Sequence, residues 1–390
     1  MKIVGWILCF CLSTGSIHSQ TFQHFLEQLT GHSDSLKMCQ VDSFMSTASS
    51  FPYLDNDSTL YFLFRGNVQS ITVIGDFNAW RDSTDQMVRI NGTNLWYLPR
   101  IFEAQARLDY KFVLNHAEFI LDPLNPHLIR GGYGPNSELQ MPHYVPPPEI
   151  KFYNGIPHGT LQDTSFFSAH LKNSRLIKIY LPPNYEYSDI QYPLVVFHDG
   201  LDFLSLGQMK NILDYLIWQR RIKPVIGIFI PAKDRWEEYA GNLKKVYAAF
   251  IVEELMHWVN EKFRILNTPE SVATFGISNG GNIALWLGLQ YPEVFQKIAV
   301  QSSNVEDSIA QGYRQTSFSG SEFYLDVGNY DIPECLQLMG NLVEIFENRG
   351  FTYQYKQYPE GHSWGSWRSH VDNALEMFFP GPSLVLEKKE

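Results

Sequence analysis

From residue 176 onward the chain repeats a pattern that few folds can satisfy. Strand-length apolar runs fall at residues 176–181, 193–197, 224–231, 271–275, 297–301, 322–327 and 353–358. Helix-length stretches separate them at residues 207–220, 242–263, 279–289, 332–348 and 364–379. Strands joined through helices cannot pair as hairpins, so each connection crosses a sheet face and the strands run mostly parallel, covered on both sides. The expected class is therefore α/β, with a doubly wound, mostly parallel sheet occupying residues 151–390.

Upstream the pattern is different. Residues 60–64, 70–74, 95–101 and 107–114 are short aliphatic or aromatic runs separated by Gly, Asn and Asp, which predicts a small all-β sandwich of immunoglobulin-like type over residues 51–144. Residues 145–150 open with Val145-Pro146-Pro147-Pro148 and read as a stiff proline linker between two domains. A chain of 390 residues exceeds the usual limit of one hydrophobic core, in keeping with that division. Residues 20–50 are expected to form a helical leader, centred on residues 22–29.

The first nineteen residues read as a signal peptide. Lys2 precedes an apolar run over residues 3–12, and Ser19 before Gln20 is a suitable cleavage point, so a secreted or periplasmic location is expected. That run is too short to span a bilayer and no later segment is longer, so no stable membrane span is expected. Removing it also removes Cys9 and Cys11. Cys39 and Cys335 remain, either as one disulfide or as two buried thiols. The net charge of −11 offers no basic field for a phosphate backbone, so nucleic acid is not an expected partner. No C-x-x-C or H-E-x-x-H spacing occurs, so neither a metal nor a cofactor is expected, and nothing in the pattern specifies an oligomeric state.

Gly276-Ile277-Ser278-Asn279-Gly280 matches G-x-S-x-G, placed between an expected strand and an expected helix. That is the setting of a nucleophile elbow, where a serine sits on a strained turn and flanking side chains would strike the backbone. A phosphate-binding turn is the competing reading, but the segment matches neither the Walker pattern nor G-x-G-x-x-G. A serine hydroxyl needs a base. His362, in a loop at the carboxyl end of the last strand, is expected to supply it. His198 lies before the serine and so against the chain order Ser, acid, His. Asp331, just past the strand over residues 322–327, is the expected carboxylate, with Asp326 as its competitor. Oxyanion donors are expected from the backbone N–H of Asn279 and from Gly200 and Leu201, in a loop otherwise readable as an ordinary strand-ending turn.

These blocks resemble the enterochelin esterase and esterase D group of α/β-hydrolases, which also includes feruloyl and acetylxylan esterases. The likeness runs over residues 175–379 through His198-Asp199-Gly200, Arg235-Trp236-Glu237-Glu238-Tyr239, Gly276 to Gly281, Gln301-Ser302-Ser303 and Gly361-His362-Ser363-Trp364-Gly365-Ser366-Trp367-Arg368. It implies an α/β-hydrolase fold and the same triad, Ser278, Asp331 and His362. Under it Arg235 and Glu238 look like a structural ion pair beneath the active-site loop, a substrate contact by Arg235 being the alternative. The N-terminal region is similar to the glycogen-binding modules of isoamylase-like enzymes in Val73 to Trp80, Tyr110-Lys111-Phe112 and Leu121-Asp122-Pro123. That likeness implies glucan contacts at Trp80 and Lys111, although Phe119 stands where a second Trp is usual. A mere packing partner for the catalytic domain is the other reading. The function expected is an exported serine carboxylester hydrolase, forming an acyl-enzyme on acyl or hydroxycinnamoyl esters of carbohydrate, small or polysaccharide-linked. The alternatives are a siderophore esterase, a carbohydrate-binding protein with a silent hydrolase domain, and an acyltransferase.

Overall fold

Runs such as Leu194–His198, Ile226–Ile230 and Lys297–Gln301 are buried at every position, as strands in the middle of a two-sided sheet must be. The structure is a computed structural model describing residues 21–48, 50–316 and 320–382; the expected signal peptide lies outside the described residues. In space the strands run Thr160–Ser168, Asn173–Leu181, Ile226–Ile230, Leu194–His198, Val272–Ile277, Lys297–Gln301, Glu322–Tyr330 and Thr352–Gly361. The first two are antiparallel to their neighbours and the other six are mutually parallel. This is the α/β-hydrolase type of sheet. The strand order reverses at Leu194–His198, so the loops after this strand and after Val272–Ile277 flank one crevice, where open α/β sheets place their ligand sites.

Side-chain alternation sorts the core into two layers. Val195 and Phe197 pack with Phe203, Leu213, Phe229, Phe275 and Leu375 on one face. Leu194 and Val196 pack with Ile179, Ile228, Tyr247 and Ile251 on the other. The expected helix at 207–220 is observed as Met209–Trp218, and a short helix Gly200–Ser205 that was not expected precedes it. Other expected helices are divided. The one at 242–263 becomes Lys244–Ala249, a π-helical turn Phe250–Leu255, and Met256–Lys262. The last, at 364–379, becomes Trp364–Trp367 and Val371–Phe378.

The N-terminal part is two small antiparallel sheets. Thr59–Arg65 and Leu95–Ile101 form the centre of one, and Ile71–Gly75, Arg107–Leu114 and Gly134–Gln140 form most of the other. Between them lie Leu60, Phe62 and Phe64 against Val73, Leu108, Tyr110 and Phe112. Tyr61 and Leu63, on the opposite face of the same strand, pack against Phe22, Phe25 and Phe44. Those rings come from Phe22–Gln28 and Asp34–Thr47, so the leader holds two helices where the sequence marked only residues 22–29. The proline segment is not a free spacer. Pro148–Ile150 forms a 3-10 turn, Glu149 is buried, and Asn211 Nδ2 donates to the Ile150 carbonyl at 3.1 Å. The two parts also share a sheet, because Glu360 on the last hydrolase strand pairs with Arg107.

Candidate active site

The elbow is built by close approach of backbone. Ser278 adopts φ 53° and ψ −124°, a conformation unfavourable for any side chain, between the strand Val272–Ile277 and the helix Asn279–Gln290. A Cβ on Gly276 would lie 1.9 Å from the Gly280 carbonyl oxygen, so that position admits only glycine. The turn is held by Ser278 N donating to Gln301 O at 2.8 Å and by Gly281 N donating to Ser278 O at 2.9 Å.

His362 Nε2 lies 3.0 Å from Ser278 Oγ, and His362 Nδ1 lies 2.7 Å from Asp331 Oδ1. The three residues thus stand in one hydrogen-bonded line, drawn from positions 278, 331 and 362. The strand carrying the acid runs on to Tyr330, with a β-bulge between Gly328 and Tyr330 that re-aims the chain just before Asp331. Asp331 Oδ1 also accepts from Ile332 N at 2.7 Å. The His362 ring meets Trp367 edge-on at 4.8 Å, and Trp367 Nε1 donates to Ser302 Oγ at 2.9 Å. A hydroxyl, an imidazole and a carboxylate in this order can move a proton off the serine while it attacks an electrophile.

The competitors have other partners. His198 is fully buried between Thr274 Oγ1 at 2.9 Å and Tyr247 Oη at 3.3 Å, and burial pushes its imidazole down to about 3. It is a neutral core histidine. Asp326 accepts from Gln301 Nε2 at 2.9 Å and is likewise buried, which pushes its carboxyl up to about 7.

The residues expected to donate to an oxyanion lie on the two sides of the crevice. Asn279 opens its helix, and N–H groups of a first turn have no partner inside the helix. Its side chain is committed elsewhere, Nδ2 donating to Arg235 O at 3.1 Å and Oδ1 accepting from Asn282. Gly200 and Leu201 open the helix Gly200–Ser205 opposite, behind Asp199 at φ 56°. Asp199 N donates to Tyr239 Oη at 2.9 Å. Arg235 then joins the two sides: Nε donates to Asp199 Oδ2 at 2.8 Å and Nη2 to Ile277 O at 2.9 Å.

The expected Arg235–Glu238 pair does not form. Glu238 is buried and takes both Nη atoms of the equally buried Arg175, each at 3.0 Å. A desolvated carboxylate is best satisfied by a desolvated two-pronged cation, and Arg235 sits at the solvent margin with Asp199 as its partner. Nothing in the sequence pairs Asp199 or Arg175 with a charge, and the block His198-Asp199-Gly200 is the one local signal for the first.

Trp80 and Lys111 are both half-buried, and Trp80 Nε1 donates to Asp76 Oδ1 at 3.1 Å, while Phe119 is exposed. Cys39 is exposed and Cys335 buried, and both are free thiols. Among the described residues, Asp331, Cys335 and His362 present ligand atoms within 4.8 Å of one another, close enough to consider a metal. Burial, reinforced by Asp331 and Glu334, pushes the Cys335 thiol up to about 12, and His362 and Asp331 already bond each other. The thiol form is a poor ligand. Beside the acid, a cleft of about 410 Å³ is lined by Asp76, Asn78 and Arg81 of the N-terminal part and by Asn329, Tyr330 and Asp331.

The Esterase family model, described as "Putative esterase", matches residues 168–378. YjcH of Bacillus subtilis (strain 168) is 25% identical over 234 residues, covering 56% of this chain and 97% of its own. The structure of the enterobactin esterase FES from Shigella flexneri in the presence of enterobactin aligns with TM-score 0.72 at 21% identity, over 86% of this chain and 97% of that one. A ferulic acid esterase from Anaeromyces mucronatus in complex with ferulic acid aligns with TM-score 0.51 at 17% identity, over 60% and 95%.

Proposed function

This chain belongs to the esterase family and is a carboxylic ester hydrolase, and from that premise we propose that it works through Ser278, His362 and Asp331 as a catalytic triad. The observation that carries the reading is the unbroken line from Ser278 Oγ through His362 to Asp331 Oδ1, at 3.0 and 2.7 Å. In it, His362 donates Nδ1–H to Asp331 and presents the Nε2 lone pair to the serine hydroxyl. Ser278 Oγ attacks the ester carbonyl while Nε2 takes its proton. The backbone N–H groups of Asn279 and of Gly200 or Leu201 stabilise the oxyanion. The proton on Nε2 passes to the departing alcohol, leaving an acyl-enzyme. Water, deprotonated by the same Nε2, releases the acid.

For the substrate we propose an ester of a catechol siderophore scaffold. The likeness to the enterobactin esterase extends over both parts of this chain, whereas that to the ferulic acid esterase covers 60% of it. The N-terminal part also forms one wall of the cleft beside Asp331. Acyl or hydroxycinnamoyl esters of carbohydrate are the second reading, favoured by the glycogen-module-like segment ending at Trp80. Export, read from residues 1–19, belongs to the same proposal, and N-terminal sequencing of the mature protein should begin at Gln20.

The test is initial hydrolysis rates of the protein and its Ser278→Ala variant on p-nitrophenyl acetate, methyl ferulate, acetylated xylan and a ferric catechol siderophore. Loss of the nucleophile should lower turnover by about four to six orders of magnitude. The preferred natural ester decides the substrate class. Equal rates for the two proteins would remove the triad.

A further inference from the structure

The two chain neighbours of His362 are both held by the N-terminal part. On one side, Ser363 Oγ accepts from Arg107 Nη1 at 2.9 Å. On the other, Gly361 lies directly against Asp76, so closely that an added Cβ would stand 2.1 Å from the Asp76 carboxyl carbon. Both holding residues are themselves fixed. Arg107 is fully buried, with Nε donating to Glu138 Oε1 at 2.7 Å and Nη2 in ionic contact with Asp109 Oδ1 at 2.7 Å. Asp76 is buried and accepts from Asp109 N at 2.8 Å and from Trp80 Nε1 at 3.1 Å. Ser363 Oγ also caps the helix Trp364–Trp367 by accepting from Ser366 N, so Arg107 reaches the start of that helix as well. The residue before the acid is held from the same side: the Tyr330 ring packs edge-on against Phe102 at 5.6 Å, and its hydroxyl donates to Glu103.

A hydrogen bond between base and nucleophile has a tolerance of a few tenths of an ångström, and loops keep such a distance only when packed residues fix them. The hydrolase sheet supplies Ser278 on a rigid strand–helix turn. On Gly361-His362-Ser363 it supplies only backbone ties, the pairing of Gly361 with Tyr330 and the Trp367 N–H on the Ser363 carbonyl at 3.0 Å, and Arg107 and Asp76 add the side-chain hold from the N-terminal part. We propose that the N-terminal part is a component of the catalytic centre, and that Arg107 and Asp76 are positioning residues that keep His362 in register with Ser278 and Asp331. The proposal rests on the triad reading above. It assigns the surface carrying Asp76, Arg107 and Asp109 to the hydrolase rather than to a free ligand.

Arg107→Lys, Ser363→Ala and the double variant test it in the full-length chain. One ammonium cannot serve Glu138, Asp109 and Ser363 together, so Arg107→Lys loses the fork while keeping the charge. Each single variant should lower kcat about 10- to 100-fold with KM within about twofold, and the double variant should be no slower than the slower single one. A readout independent of turnover is the low-field proton resonance of the His362–Asp331 hydrogen bond, assigned by its loss in His362→Gln. It should be present in the wild type and broadened or lost in both single variants. If Arg107→Lys fails to fold, Ser363→Ala, which leaves the buried charges paired, carries the decision. Folded variants that keep both kcat and the resonance overturn the proposal. A wild type that cleaves no ester removes the esterase reading alone, because loss of the resonance in Ser363→Ala would still report the hold on His362.

Discussion

Arg235 shows how much of a site can depend on one side chain that need not touch substrate. Its guanidinium joins Asp199, ahead of the Gly200 and Leu201 amides, to the Ile277 carbonyl, ahead of Ser278. Arg235→Lys should therefore lower kcat about 10- to 100-fold by letting the two sides of the crevice drift. Its side chain is 41% exposed, so solvent screens the pair and the unfolding free energy should change by no more than about 1 kcal/mol. Steady-state kinetics beside urea unfolding separates the two effects. Asp326 makes the opposite case, a buried acid outside the proposed triad. Burial, reinforced by Glu360 and opposed by His370 and Gln301, holds its carboxyl at about 7, against 3.8 for an ordinary aspartate. Between those values the unfolded chain has lost the proton and the folded chain keeps it, so this group's contribution to stability falls as pH rises. The advantage of Asp326→Asn over the wild type should grow through that window and level off above it, at no more than roughly 4 kcal/mol. Urea midpoints at pH values below, within and above the window check this, and a difference independent of pH would contradict it.

At the scale of elements, the site depends on how closely helices approach the sheet. Gly200 is seated on the strand Ile226–Ile230, and a Cβ there would lie 2.3 Å from the Ile230 nitrogen. Neither backbone can yield easily, so Gly200→Ala should move the oxyanion loop and lower kcat about 100- to 1000-fold, as loss of one oxyanion donor does. Gly340 is the matched control. It lies exposed within the helix Pro333–Arg349, where a Cβ meets nothing within 4 Å. Gly340→Ala should leave the kinetics unchanged and stabilise the fold by about 0.5–1 kcal/mol, read from thermal unfolding. Elements also differ in how plainly the sequence announces them. Leu95–Ile101, Arg107–Leu114 and Lys297–Gln301 have the bounds expected from their apolar runs. Thr160–Ser168 gives no such signal, because it is a largely polar edge strand held by nine consecutive pairs with Asn173–Leu181. A ladder of backbone hydrogen bonds leaves little trace in side-chain pattern.

The whole molecule behaves as one body in its hydrogen bonding, although the sequence divides it at the proline segment. Glu360 pairs with Arg107 across the junction, Arg107 reaches Ser363, and Tyr330 meets Phe102. Unfolding should accordingly be a single calorimetric transition with coincident near- and far-ultraviolet dichroism. Two separated transitions would show that the junction is weak. Among the described residues no helix is long and apolar enough to cross a membrane.

By itself the sequence determined the class of sheet and the local setting of each candidate catalytic side chain. Strand and helix periods, the G-x-S-x-G turn, and the strand ends before Asp331 and His362 are properties of a few neighbouring residues, so they can be read locally. Which side chains face one another was decided only by the tertiary structure. The family resemblance implied a pairing of Arg235 with Glu238; the fold gives Glu238 to Arg175 and Arg235 to Asp199. Arg107 and Ser363 meet across 256 positions. Charge pairing depends on which groups packing removes from water together, and that is settled by the arrangement of distant segments rather than by the spacing of near ones.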